Sequence, residues 1–287
     1  MGHKNKESLV FQVTQKYNRM LAIGQSRHTA KANGTAKDKI FSWGTYHTYI
    51  KHACYFVTYC KEKYHVKTLE QCEKYGTEWL NSRSNLSAYT QKMESAALNK
   101  LYGKSIPYDK RNRSRPDIKR SRYQAIRDHN FSESKNRELV EFAKATGLRR
   151  RELDFLKSDS VIYNAEGRAC IHVISGAKGG KPRLAPIVGT PKQIQHVIDK
   201  VNGTPYGEKV FPSIHNAADI HSYRSEYAVQ YYKECIEKLG GISQNKAYRY
   251  YGRNDRKGMC YDKRAMEMVS KALGHNRISI IAGHYLR

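Results

Sequence analysis

Long apolar runs are absent from this sequence. No segment stays apolar for the ~18 residues that a membrane-spanning helix requires, and the N-terminus has no apolar signal-peptide core. The expectation is a cytoplasmic chain with no membrane partner. Metal-binding cysteine pairs are absent as well. Of the six cysteines, Cys54, Cys60, Cys72, Cys170, Cys235 and Cys260, none falls in a C-x-x-C pair and no matching histidine pair follows. Zinc is therefore not expected, nor is a disulfide framework in a chain of this size without an export signal. Negative charge is scarcest of all: 26 Asp and Glu stand against 52 Lys and Arg, a formal net charge of +26. Such a surplus opposes compaction by self-repulsion and attracts polyanions. Nucleic acid is the expected partner.

What is present supports two folded regions, since 287 residues with 39% hydrophobic content can bury two cores. Residues 9–23 are amphipathic, and 26–34 reads as a loop. From Ser42, a candidate cap, Tyr46, Tyr49, Ile50, Ala53, Phe56, Val57 and Cys60 recur at helical spacing. Further helices are expected over 68–80, with Leu69, Cys72, Trp79 and Leu80 inward, and over 87–102. Residues 1–103 thus read as a small helical domain. Residues 104–130 have almost no apolar periodicity and carry Lys104, Lys110, Arg111, Arg113, Arg115, Lys119, Arg120, Arg122 and Arg127. They read as a basic linker, either a solvated strand or a strap across a phosphate backbone.

Residues 131–287 form the second domain. Helices are expected over 135–146 and 149–156. A three-stranded antiparallel meander follows over 161–163, 169–174 and 184–187, then helices over 191–201, 219–239, 263–273 and 279–286. The basic, aromatic stretch 246–257 reads either as a phosphate-contacting insert or as a surface loop. The expected fold class is mainly α with a small antiparallel β-meander.

Breaking a DNA phosphodiester without a metal needs a nucleophile, cations on the non-bridging oxygens and an acid for the leaving oxygen. Arginine suits the clamp because its planar fork meets two oxygens and stays charged. Four patterns supply such groups in order. Thr146-Gly147-Leu148-Arg149-Arg150-Arg151-Glu152-Leu153 puts a turn glycine before a helix start, so that Arg149 projects from the helix N-terminal end. Gly176-Ala177-Lys178-Gly179-Gly180-Lys181-Pro182-Arg183 is a basic hairpin tip; Pro182 after Lys181 argues against a nucleotide phosphate loop. His221-Ser222-Tyr223-Arg224 sets His221 and Arg224 on one helical face. Leu273-Gly274-His275 precedes Tyr285, one of 22 tyrosines. Taken singly, each admits a plain reading: a glycine-broken helix pair, a solvated turn, surface side chains, a packing tyrosine.

Their ordered combination resembles the tyrosine recombinase (phage integrase) family. The resemblance covers the second domain from about Ser132, and the helical domain before it is similar to that family's core-binding domain. It implies Arg149 and Arg224 as the phosphate clamp and Lys178 as general acid, with Lys181 as the alternative. His221 and His275 would be phosphate hydrogen-bonding residues, and Tyr285 the nucleophile, giving a 3′-phosphotyrosine. It also implies double-stranded DNA as partner, with contacts from Lys181, Arg183 and the linker cations, a homotetramer on paired sites, and no metal, nucleotide or other cofactor. A type IB topoisomerase-like relaxing enzyme and a non-catalytic DNA-binding protein are the alternatives.

Two departures stand out. The family usually places the nucleophile one residue closer to the L-G-H histidine, whereas Tyr285 lies ten residues after His275. One residue turns a helix by about 100°, so a different local path is expected. Family members often continue beyond the tyrosine with a tail that docks on a neighbouring subunit. Here two residues follow Tyr285, so either the sequence is a piece of a longer chain or a tetramer forms through other contacts.

Overall fold

The computed structural model describes residues 8–112, 131–177, 181–252 and 257–286. The chain divides into two compact units, Met1–Lys119 and Arg120–Arg287. It is mainly helical, with a small antiparallel meander. No described helix is long and apolar enough to cross a membrane.

The first unit holds α1 (Leu9–Asn18), α2 (Arg27–Ala32), α3 (Trp43–Tyr64), α4 (Leu69–Glu73), α5 (Gly76–Ser82) and α6 (Ala88–Tyr102). Side-chain oxygens of Ser8, Ser42, Thr68 and Ser87 cap α1, α3, α4 and α6. Each satisfies an amide that the helix start would otherwise leave without a partner. Val13 and Tyr17 of α1 pack with Phe56, Val57 and Cys60 of α3, Trp79 and Leu80 of α5, and Leu98 and Leu101 of α6. The buried Tyr17 hydroxyl donates to the Ala97 carbonyl at 2.8 Å.

Two expectations for this unit fail. The stretch 26–34 is not wholly loop, because Ser26 accepts from the Thr29 amide at 3.2 Å and starts α2. The helix expected over 68–80 is broken between Glu73 and Gly76. Gly76 abuts Ile106 so closely that a β-carbon there would lie 2.9 Å from its Cδ1. At the break, Tyr75 stacks on Tyr64 of α3, ring centroids 3.6 Å apart.

The second unit begins with α7 (Arg137–Thr146) and α8 (Arg150–Asp154). The meander follows as β1 (Val161–Tyr163), β2 (Ala169–Val173) and β3 (Arg183–Pro186), in spatial order β1-β2-β3, with Ile171 opposite Val161 on one side and Ala185 on the other. Next come α9 (Pro191–Asn202), α10 (Ile220–Lys238), β4 (Arg249–Tyr251), β5 (Cys260–Asp262), α11 (Lys263–Ala272) and α12 (Ile278–His284). The stretch 246–257, read as an insert or a loop, contains β4, which pairs with β5 through Tyr250 and Tyr261. Asp262 anchors that pair: its carboxylate accepts from the Ser243 amide and from Arg264.

Two apolar cores fill this unit, and α10 spans both. Its start, at Ile220 and Tyr223, packs with α7, the meander and α9, among them Phe142, Leu148, Ile171, Ala185 and Val201. Its later turns, with Tyr227, Ala228, Tyr231 and Cys235, pack on Met266 and Val269 of α11 and Ile281 of α12. The first turns of α10 therefore lie where the two cores meet.

Gly147 closes α7 at φ 61°, a left-handed conformation suited to glycine. A β-carbon there would come within 2.4 Å of the Tyr227 ring. Gly147→Ala combines backbone strain with overpacking and should cost roughly 2–4 kcal/mol. It would be read as a lower urea midpoint at unchanged slope; a loss below about 0.5 kcal/mol would contradict this account.

Candidate active site

The glycine turn between α7 and α8 delivers Arg149 to the N-cap of α8. Its Nη1 donates to Glu152 Oε1 at 2.6 Å, and its Nη2 to the Leu273 carbonyl at 2.9 Å. The Glu152 carboxylate reaches back to the Arg149 amide at 2.7 Å, as the three-residue spacing of a capping box allows. Arg183, on β3, approaches Glu152 from the other side. Its Nη1 and Nη2 lie 2.7 and 2.8 Å from the two carboxylate oxygens, and its Nε donates to the Ala272 carbonyl at 2.8 Å.

Arg224 is the largest fully buried side chain described. Its Nη1 donates to the Gly147 carbonyl, its Nη2 to the Leu273 carbonyl, and its Nε to the Tyr285 hydroxyl at 3.3 Å. Its Nη1 also lies 4.0 Å from Glu152 Oε2. Burial pushes the Arg224 guanidinium down to about 10, with Arg149 and Arg183 adding repulsion and Tyr285 opposing the shift; it stays cationic at neutral pH. Burial alone would raise the Glu152 carboxyl, but hydrogen bonds and charge from Arg183, then from Arg149, outweigh it and hold the group at about 2.

The end of α11 carries much of this construction. The carbonyls of Ala272 and Leu273 belong to the group that a helix C-terminus leaves without intrahelical partners, and here they accept from all three arginines. The chain then turns at Gly274, φ 65°, where a β-carbon would sit 2.9 Å from Arg183 Cδ. The glycine of the L-G-H motif is thus required by backbone conformation and by packing. The next residue, His275, places Nε2 3.1 Å from the Tyr285 hydroxyl. The exposed His221, on the first turn of α10, sets its ring edge-on to Tyr285 with centroids 5.7 Å apart.

Tyr285 follows the last residue of α12 as its C-cap and is 4% exposed. The amides of Tyr285 and Leu286 both donate to the Ile281 carbonyl, at 3.0 Å each, so the helix end widens by one residue at the tyrosine. The ten residues from His275 run through an extended Arg277 ahead of α12 and still bring the Tyr285 hydroxyl back to His275.

Arg149, His221, Arg224, His275 and Tyr285 therefore come together. Lys178 lies outside the described residues, as do Arg113, Arg115, Lys119, Arg120 and Arg122. Lys181 is exposed ahead of β3. Arg183, expected to contact DNA, has its guanidinium turned inward toward Glu152 and the Ala272 carbonyl. In the first unit Lys104 pairs with Glu73, Lys110 lies over the Tyr108 ring at 5.9 Å, and Arg111 donates to the Leu86 carbonyl. Sequence reasoning missed Glu152 as the hub. The available signal was its position three residues after Arg149. Among the described residues, no cluster of three or more His, Cys, Asp or Glu could hold a metal ion.

The low value of Glu152 makes folding of this unit acid-sensitive. A carboxyl depressed from its ordinary value of 4.5 to about 2 contributes stability that is complete above pH ~4.5 and is lost as pH falls toward 2. The contribution is on the order of 3 kcal/mol. Urea unfolding of wild type and Glu152→Gln at pH 7 and pH 3 should show the variant less stable at pH 7, with the gap narrowing at pH 3. A gap that stays constant would rule out this linkage.

No family model matches the sequence, and no curated protein matches it. Among solved structures, the chain is similar to the XerH site-specific recombinase bound to palindromic difH substrate in a post-cleavage complex. That match has 14% identity and a TM-score of 0.51, covering 97% of this chain and 90% of that one. XerH in a pre-cleavage complex with difH matches at 15% identity and TM-score 0.43, over 96% and 90% of the two chains. XerA recombinase matches at 16% identity and TM-score 0.31, over 91% and 93%. The chain has the tyrosine recombinase fold.

Proposed function

We propose that the protein is a site-specific DNA recombinase or integrase, acting in the cytoplasm for a mobile genetic element, that cleaves and rejoins DNA through a 3′-phosphotyrosine. The observation that carries this reading is the convergence on the Tyr285 hydroxyl of Arg224 Nε at 3.3 Å and His275 Nε2 at 3.1 Å, beside Arg149. An ordinary packing tyrosine has no need of two cationic or ionisable partners within a pocket built by three arginines.

In this mechanism, Arg149 and Arg224 bind the non-bridging oxygens of the scissile phosphate. Tyr285 attacks phosphorus, its proton leaving toward His221 or solvent, and the bond to the 5′ oxygen breaks. Lys178 protonates that oxygen. It lies two residues beyond Gly176, whose α-carbon packs so tightly on α8 that an added β-carbon would lie 2.7 Å from the Arg151 carbonyl oxygen. A 5′ hydroxyl from the partner strand then attacks the phosphotyrosine, restoring the tyrosine and joining the new strand. No metal or cofactor takes part.

The DNA partner is supported by the +26 charge and by the XerH likeness, that protein being described as bound to a DNA substrate after cleavage. The basic segment 104–130 and Lys181 supply backbone contacts, and a homotetramer on paired sites is the assembly such an exchange requires.

Covalent trapping tests the reading. Wild type incubated with nicked duplexes from candidate element ends should yield an adduct stable in detergent, and Tyr285→Phe should yield none. Relaxation of plasmids without any site would point to the topoisomerase-like alternative. Tight DNA binding without an adduct, on verified sites, would leave only a DNA-binding scaffold.

The general acid is tested separately. Lys178→Ala should slow cleavage roughly 100-fold or more and regain most of the rate when a bridging sulfur, which leaves without protonation, replaces the 5′ oxygen. The same rescue in Lys181→Ala alone would transfer the role to Lys181.

A further inference from the structure

Arg150, the second arginine of the R-R-R run, is left unused by the mechanism above. It is the first residue of α8, directly after Arg149, and its side chain turns toward the segment that leads into α10. Nη1 donates to the His215 carbonyl at 2.9 Å and, more weakly, to that of Ile214 at 3.4 Å. Nη2 donates to the Ala218 carbonyl at 2.6 Å and the Asn216 carbonyl at 3.2 Å. Four backbone carbonyls of one short segment therefore point at one guanidinium.

Such a segment cannot hold its shape alone. Converging carbonyl dipoles repel one another, and the segment belongs to neither a helix nor a strand. The bonds seen within it are short-range: the Ala218 amide to the His215 carbonyl at 3.0 Å, the Ala217 amide to His215 Nδ1 at 3.1 Å, and the Ile220 amide to the Ala218 carbonyl at 3.0 Å. A planar fork with five donors satisfies several carbonyls at once, whereas an ammonium is a point charge. Directly after the segment, Asp219 caps α10, and His221 and Arg224 stand on its first two turns.

We infer that Arg150 is a positioning residue for the cleavage reaction, fixing the start of α10, with His221 and Arg224, against the start of α8, with Arg149. The inference rests on the recombinase reading for its functional consequence. The two halves of the phosphate clamp come from segments far apart in sequence, and Arg150 ties one helix start to the approach of the other, in addition to the bond from Arg224 to the Gly147 carbonyl. Its donors are directed to the protein's own carbonyls, so it is not counted among the phosphate contacts despite its place in a basic run.

The test uses Arg150→Lys, which keeps the charge and loses the fork, and Arg150→Gln, which loses both. Hydrogen–deuterium exchange on the protein without DNA should show faster uptake over residues 214–224 in both variants, with α7 and the meander unchanged. Adduct formation at saturating DNA should slow by about 10- to 100-fold, as a misplacement near 1 Å would produce. DNA affinity should stay within about threefold and the salt slope should be unchanged.

A phosphate contact would behave differently. Arg150→Lys would then retain most activity, while Arg150→Gln would weaken binding and lower the salt slope by about one; that pattern overturns the inference. Unchanged exchange over 214–224 also overturns it. If wild type forms no adduct, the recombinase reading fails, and the exchange result alone decides whether Arg150 orders the approach to α10.

Discussion

A single buried carboxylate makes the rest of the site possible. Arg149, Arg183 and Arg224 meet in a pocket from which water is largely excluded, and each positive charge raises the cost of the others. Glu152 offsets one of the three. The remaining surplus, three guanidinium charges less one carboxylate, is two. On the proposed reading that surplus has a purpose. A phosphodiester carries one negative charge, and its five-coordinate transition state carries more. A pocket left with two positive charges favours the transition state over the bound substrate. A second carboxylate would weaken the pocket's preference for an anion, and none at all would leave the arginines uncompensated.

Geometry at the end of α11 completes what Glu152 begins. Charge alone would gather the arginines without aiming them. The carbonyls of Ala272 and Leu273 lack helical partners, so they accept hydrogen bonds without any being broken elsewhere. They also lie at the negative end of the helix dipole. Gly274 then lets the chain turn beneath Arg183 and Arg149, where any side chain would collide. The L-G-H motif is therefore as much a seat for arginines as a carrier of His275.

Legibility in the sequence followed the range of the interactions. Ser42 and Ser87 cap helices through atoms three residues away, and those helix starts could be read directly. The meander was legible from its β-like apolar runs and the turns between them. The break before Gly76 depends on Ile106, thirty residues on, and nothing local marked it. The inward turn of Arg183 was hidden for the same reason. A basic hairpin tip looks solvated until a buried carboxylate from another element is known to face it. Arg149, His221, Arg224, His275 and Tyr285, which the fold brings together, were legible as a candidate set because the proposed chemistry dictates their types, while the residues that hold them depend on tertiary contacts.

The site arginines and Tyr285 are secured in different ways. The arginines are fixed by charge and by backbone carbonyls drawn from two segments, the turn at Gly147 and the end of α11. Tyr285 ends a seven-residue helix, shorter than a helix stable by itself, so its place depends on Ile281, Ala282 and Leu286 packing against α11. The widened turn at Ile281 belongs to that arrangement, since it places both Tyr285 and Leu286 in the core while the hydroxyl reaches His275 and Arg224. On the proposed reading, a rigid clamp would hold the phosphate for both the forward and the reverse attack. On the same reading the tyrosine would bond to phosphorus and later release it, and it sits on an element held mainly by apolar packing, which has no directional bonds to break when the backbone shifts.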